Sequence, residues 1–142
     1  MIVLDTNVLS ALMQREPDPV VVAWLDRQPS ESVWTTAITV LEVRFGLELL
    51  AAGRRSRRLE DAFERALAED LENRILPFDD QSAREAGGRA AQRRTQGKVV
   101  DFRDAEIAGI IAARRATLAT RNLSHFRDLG IAVVDPWTGK AI

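Results

Sequence analysis

Met1-Ile2-Val3-Leu4-Asp5-Thr6-Asn7 opens the chain with a short apolar run that ends in a carboxylate. In a sequence that goes on to alternate strand-like and helix-like stretches, a run of this length reads as a buried central strand. The ligand-binding crevice of an open α/β sheet lies beyond the carboxyl ends of its strands, so this reading puts Asp5 where ligands bind. The alternative is structural, because an Asp after a strand commonly caps the following helix, here one beginning near Thr6.

Working outward, Val8 to Met13 is expected to be a short helix, and Asp18 with Pro19 is a start signal for a second helix over Val20 to Arg27. The β-branched and aromatic stretch Ser32-Val33-Trp34-Thr35-Thr36 reads as a second strand. A helix over Ala37 to Ala52 is expected to stop at Gly53, and a charged helix over Arg54 to Arg74 to follow, with Leu59, Phe63, Ala66, Leu67 and Leu71 as its apolar stripe. Ile75-Leu76-Pro77 reads as a third strand, which Pro77 assigns to a sheet edge or a strand end. A helix running to about Gln96 comes next, in which Gly87-Gly88 either permits close packing or weakens it. Another helix, Phe102 to Arg115, precedes strands at Thr117 to Thr120 and Ile131 to Val134. Strand and helix alternate with no hairpin signal, which predicts parallel pairing, right-handed crossovers and helices on both faces of the sheet.

A length of 142 residues fits one domain, 1–142. No apolar stretch reaches membrane-spanning length, and an opening apolar run of four residues ending in an acid does not read as a secretory leader. The absence of cysteine excludes disulfides, thiolate zinc sites and cysteine nucleophiles, and fits a cytoplasmic protein. His125 is the only histidine, which excludes a two-histidine nuclease mechanism and a histidine-rich metal centre; it reads as an ordinary surface residue. A net charge of -1 gives no general attraction to nucleic acid, so local patterning has to carry any such case. The densest basic cluster, Arg54, Arg55, Arg57 and Arg58, opens an exposed helix and reads as a solvated face.

Two acids fall on the wrong side of their helices. With a rotation of about 100° per residue, Arg44 and Glu48 define the wet face of the Ala37 to Ala52 helix, and Glu42 lies nearly opposite, on a stripe with Ile38, Phe45, Gly46 and Leu49. In the Phe102 to Arg115 helix, Asp104 aligns with Ile107, Ala108 and Ile111. A lone buried carboxylate is costly unless it is protonated, paired or bound to a cation. A structural arginine beside Glu42 is one solution. A hard divalent ion shared by Asp5, Glu42 and Asp104 is another, with Asn122, just past a strand end, as a neutral oxygen donor.

The spacing Asp5-Thr6-Asn7, Thr36-x-Ile38-Thr39-x-x-Glu42, Arg103-Asp104-Ala105-x-Ile107-Ala108 and Ala119-Thr120-Arg121-Asn122, followed by Phe126, resembles the PIN domain. More narrowly it resembles the VapC ribonuclease toxins of type II toxin-antitoxin modules in the FitB-like branch, which the closing Val133-Val134-Asp135-Pro136-Trp137 also matches. The resemblance runs from end to end. It implies a single three-layer α/β/α sandwich with a central parallel sheet of about five strands. It also implies Mg2+-dependent cleavage of RNA such as tRNA, a homodimer and neutralisation by a cognate VapB-type antitoxin, with Mn2+ able to substitute for Mg2+.

Carried over residue by residue, the acidic triad falls on Asp5, Glu42 and Asp104, as catalytic residues and metal ligands. A fourth acid often occurs where this chain has Asn122. Asp101, one turn before Asp104, is either a substitute ligand or the cap of its helix. Thr6 and Thr120 are placed to hydrogen-bond carboxylates or metal-bound water, and Arg121 to contact a phosphate. Three rival readings are a phosphotransferase with an aspartyl nucleophile, a housekeeping PIN nuclease without an antitoxin, and a catalytically dead PIN module that binds a protein. The first leaves Glu42 unexplained, and the last leaves the retained triad unexplained.

Overall fold

The computed structural model describes residues 1–142. Five strands form one parallel sheet: β1 (Ile2–Leu4), β2 (Val33–Thr36), β3 (Ile75–Leu76), β4 (Thr117–Ala119) and β5 (Ala132–Val134), in the order β3-β2-β1-β4-β5. The opening strand is central, as its continuous apolar character requires, and β3 with its following Pro77 lies at an edge. The helices are α1 (Thr6–Met13), α2 (Pro19–Asp26), α3 (Ala37–Leu49), α4 (Arg54–Arg65), α5 (Asp80–Thr95), α6 (Phe102–Arg114) and α7 (Leu123–Phe126). No helix is long and apolar enough to cross a membrane.

Strand alternation sends neighbouring residues of β1 into two different cores. Val3 packs with Ile107, Ile110, Ile111 and Leu118, and Leu4 packs with Val8, Leu9, Val21 and Phe63. Helix α6 therefore covers one face of the sheet, with α5 packed against α6, and α1, α2 and α4 cover the other. The close approach of α5 to α6 depends on Gly109, where an added Cβ would stand 2.3 Å from the carbonyl oxygen of Ser82. Gly87 and Gly88 have open space where a side chain would go, so they do not serve close packing.

Three local features differ from expectation. The charged helix ends at Arg65 and gives way to a π-helical turn, Ala66–Asp70. That turn buries Ala66 and Leu67, and Glu72 and Asn73 then take left-handed backbone angles that reverse the chain into β3. A short 3-10 turn, Ser30–Ser32, and the one-turn α7 carry no periodic apolar signal long enough to read. Finally, α3 does not bury the whole of its apolar face: Ile38, Thr39 and Val43 are buried, whereas Leu41, Phe45 and Leu49 are 57%, 61% and 71% exposed.

Candidate active site

Asp5 occupies the turn between β1 and α1, where it caps the helix and also lines a pocket beyond the strand ends. As N-cap of α1, its Oδ1 accepts from the backbone N–H of Thr6 at 2.9 Å. Its Oδ2 accepts from the Thr120 hydroxyl at 2.7 Å, and Asn7 Nδ2 stands 3.4 Å away. The Asp5 amide donates to the Ala119 carbonyl at 3.0 Å, which ties the ends of β1 and β4 together. Burial raises the Asp5 pKa and outweighs the hydrogen bonds from Thr120, Thr6 and Asn7, which favour the ionised form.

Glu42 reaches the same place from the second turn of α3, which β2 delivers through the Thr36 cap. Its Oε2 accepts from the Thr6 hydroxyl at 3.0 Å, so Thr6 bridges Asp5 through its amide and Glu42 through its side chain. No arginine or lysine lies within ion-pair distance of Glu42, and the structural-arginine alternative is not realised. Burial raises its pKa, the Asp5 and Asp101 charges add to that, and the Thr6 hydrogen bond and the charge of Arg103, which also lines the pocket without pairing with Glu42, oppose it.

Asp104 comes from the first turn of α6, whose N-cap is Asp101. Asp101 accepts from the amides of Arg103 and Asp104 at 2.9 and 3.2 Å, so its capping role is the one the structure displays. The Asp104 pKa is pushed up to about 6, mainly by burial and then by the negative charges of Asp101, Asp5 and Glu42. His125 opposes the shift, with Nδ1 3.6 Å from Asp104 Oδ2. His125 is exposed, as expected, and α7, a helix too short to detect by periodicity, also sets it at the rim of the pocket beside Asp104.

These groups line one pocket of about 290 Å³, shared by Asp5, Glu42, Asp101, Asp104, Asn122 and His125. Asn122 lies at its edge, with its amide donating to Thr120 Oγ1 at 3.1 Å. Buried Thr120 also accepts from Asn7 Nδ2 at 3.0 Å, and Asn7 Oδ1 accepts from the Arg121 amide at 3.0 Å. Asn7 and Thr120 thus form a layer of support beneath Asp5. Arg121 is not part of this pocket: its guanidinium stacks over Trp137, 4.1 Å from the ring centroid, and lines a neighbouring cleft. Trp137 is fixed in turn by a 2.9 Å hydrogen bond from Nε1 to Asp18.

The donor set is oxygen-rich, without sulfur and with one imidazole, which suits a hard divalent ion. No three acidic or histidine side chains stand close enough as placed to ligate one ion together. The residues fit an ion that keeps much of its own water, as Mg2+ does, because three desolvated carboxyl groups share one pocket with no arginine or lysine paired to them.

Comparison with known proteins agrees with this architecture. The PIN domain family model matches residues 2–131. The chain is 42% identical to the VapC ribonuclease Y4jK of Sinorhizobium fredii over 96% of its own length and 98% of the relative's. It is 37% identical to Toxin FitB of Neisseria gonorrhoeae, with 96% and 99% covered. The crystal structure of FitAcB from Neisseria gonorrhoeae superposes with a TM-score of 0.86, covering 97% of this chain and 99% of that one at 37% identity. The match of fold and sequence along nearly the whole chain makes this protein a member of the PIN-domain family, on its VapC and FitB branch.

Proposed function

We propose that this protein is a divalent-metal-dependent endoribonuclease that hydrolyses RNA phosphodiesters and serves as the toxin of a type II toxin-antitoxin pair. The observation that carries the proposal is the gathering of Asp5, Glu42 and Asp104 in one pocket, each holding its proton more tightly than a free carboxyl group and none paired with arginine or lysine. Relatives named a ribonuclease and a toxin support the substrate and the role.

Asp5, Asp104 and Glu42 would hold Mg2+, or Mn2+ in its place, directly or through water. When bound, the ion polarises a phosphate oxygen and acidifies a coordinated water. Asp5 is fixed from two sides by Thr6 and Thr120, so its carboxylate keeps one orientation. Glu42, held by Thr6, lines the same pocket and would orient the attacking water. His125 stands beside Asp104 and lines the same pocket.

The partner that fits is an antitoxin of VapB type, which can neutralise the clustered acids by inserting an arginine, because a guanidinium satisfies carboxylates bidentately. The exposed apolar stripe Leu41, Phe45 and Leu49 on α3, with Phe102 also 63% exposed at the start of α6, supports a homodimer. The chain is read as a single cytoplasmic domain. The test of the catalytic assignment is cleavage of tRNA at saturating Mg2+ by the wild type, Asp5→Asn and Asp104→Asn. Both variants are expected to be inactive while still folded, and wild-type activity in either one removes that residue from the site.

A further inference from the structure

Five arginines, one just past α1 and four on α4, line a single cleft on the α1 and α4 side of the molecule. Arg15 follows the end of α1, Arg54, Arg57, Arg58 and Arg65 come from α4, and Asp61 is the one acid among them. The cleft has a volume of about 480 Å³. At about 100° per residue, Arg54, Arg58, Asp61 and Arg65 fall on one narrow stripe with Arg57 at its flank, while Arg55 turns aside and Phe63 points to the core. Arg44, Arg74, Arg84, Arg89 and Arg114 each pair with a carboxylate, yet none of the five cleft arginines does. In a chain of net charge -1, this concentrates unneutralised positive charge in one place.

A groove connects the cleft to the carboxylate pocket. Thr6 and Glu42 line both the pocket and the groove, and Met13 and Gln14 line both the groove and the arginine cleft. Val43, Leu47 and Leu59 make the groove apolar, and Gly46 borders open space, since a Cβ there would meet nothing within 4 Å. Helix α1 walls the whole path, and Thr6 to Met13 spans about 11 Å at 1.5 Å per residue.

We propose that the arginine cleft is a phosphate-backbone subsite that holds the RNA substrate away from the scissile bond, with the strand running along α1 from the carboxylate pocket. This rests on the nuclease reading of that pocket. Guanidinium forks match phosphate oxygens. Along the stripe Arg54 and Arg58 stand about one helical turn apart and Arg65 about two turns further on, past Asp61, a spread that suits a linear polyanion better than a single small anion. The apolar groove between the two charged regions can take base faces, as in sites for single strands.

The test is binding of a fluorescein-labelled single-stranded RNA 12-mer to the full chain in excess chelator, so that the RNA stays intact, across a series of salt concentrations. The triple variant Arg54→Gln, Arg57→Gln, Arg58→Gln is expected to bind about tenfold or more weakly. Its log-log salt slope should be shallower by about 2, at about 0.7 for each phosphate of a single strand that is no longer neutralised. Lysine at the same three positions should restore the slope, showing that the loss is one of charge and not of folding. Arg55→Gln, Arg94→Gln, Arg127→Gln removes equal charge elsewhere and should leave the slope as in the wild type. An unchanged slope in the first variant, or an equal loss in the second, overturns the assignment. RNA binding that survives the first variant while binding of a labelled polyglutamate peptide is lost also overturns it, and assigns the cleft to an acidic protein segment. Mg2+-dependent cleavage by the unaltered protein, measured in parallel, reports separately on the nuclease reading.

Discussion

Thr120 donates a 2.7 Å hydrogen bond to Asp5, joining the residue that follows β4 to the residue that follows β1 at the bottom of the carboxylate pocket. The same hydroxyl oxygen accepts from Asn7 and from the Asn122 amide, so one buried threonine satisfies three partners. Thr120→Val keeps the shape and removes all three bonds. It is expected to destabilise the protein by about 1–3 kcal/mol, the range for stranding buried polar groups, and to slow cleavage by freeing Asp5 to rotate. Thr120→Ser should retain most of both. Thermal denaturation and RNA cleavage of the two variants check this; equal behaviour of valine and serine would contradict it.

The raised pKa of Asp104 has a pH signature. An acid whose folded value lies at about 6, against an ordinary 3.8, stabilises the fold fully only below the ordinary value, and that contribution is lost as pH rises through about 6. In chelator, Asp104→Asn is therefore expected to match the wild type near about pH 4 and to melt at a higher temperature near about pH 7, where the wild-type carboxylate is ionised among Asp101, Asp5 and Glu42. Saturating Mg2+ should remove or reverse that advantage. A melting difference that does not vary with pH would contradict the origin assigned to the shift.

Asn122 sits at the edge of the pocket as a neutral amide. Asn122→Asp adds a charge near Asp5 and Asp104, so it is expected to lower the Mg2+ concentration for half-maximal cleavage and to lower the melting temperature in chelator. Titrating Mg2+ against both readouts checks this. If neither curve moves, Asn122 takes no part in cation binding.

Packing predictions separate the glycines. Gly109→Ala is expected to cost about 1–3 kcal/mol, the usual range for overpacking, because its Cβ would meet the Ser82 carbonyl and Ala86. Gly88→Ala, mid-helix with open space, should stabilise by about 0.4–1 kcal/mol. Chemical denaturation of both variants distinguishes them, and equal signs would contradict the contact between α5 and α6.

On the exposed face of α3, Phe45→Glu is expected to convert a dimer to a monomer in sedimentation without lowering the melting temperature of the monomer, since Phe45 is 61% exposed in the single chain. A wild-type protein that is monomeric at high concentration would remove the role assigned to α3.

The sheet was legible because every strand carries a local signature, and because alternation with helices restricts the connections. Asp5 was legible from its place at the carboxyl end of the first strand, and Glu42 and Asp104 because an acid on an apolar helix face demands compensation that no sequence neighbour supplies. The surroundings of the triad were less so. Thr6 and Thr120 could be named, but not the bonds by which they hold Asp5 and Glu42, which join residues far apart in the chain. His125 lies on a helix of one turn, and Arg121 leaves the pocket for Trp137, a contact set by the chain's last strand and tail. The exposed face of α3 shows the limit of periodicity, which finds an apolar stripe but not whether the same chain covers it.

The central claim is that the pocket's carboxyl groups need a divalent cation to cleave RNA. The most direct measurement is the initial rate of tRNA cleavage by the purified wild type as Mg2+ is titrated from excess chelator upward. The account predicts no cleavage in chelator, a saturable rise with Mg2+ and recovery with Mn2+. Undiminished cleavage in chelator would contradict it.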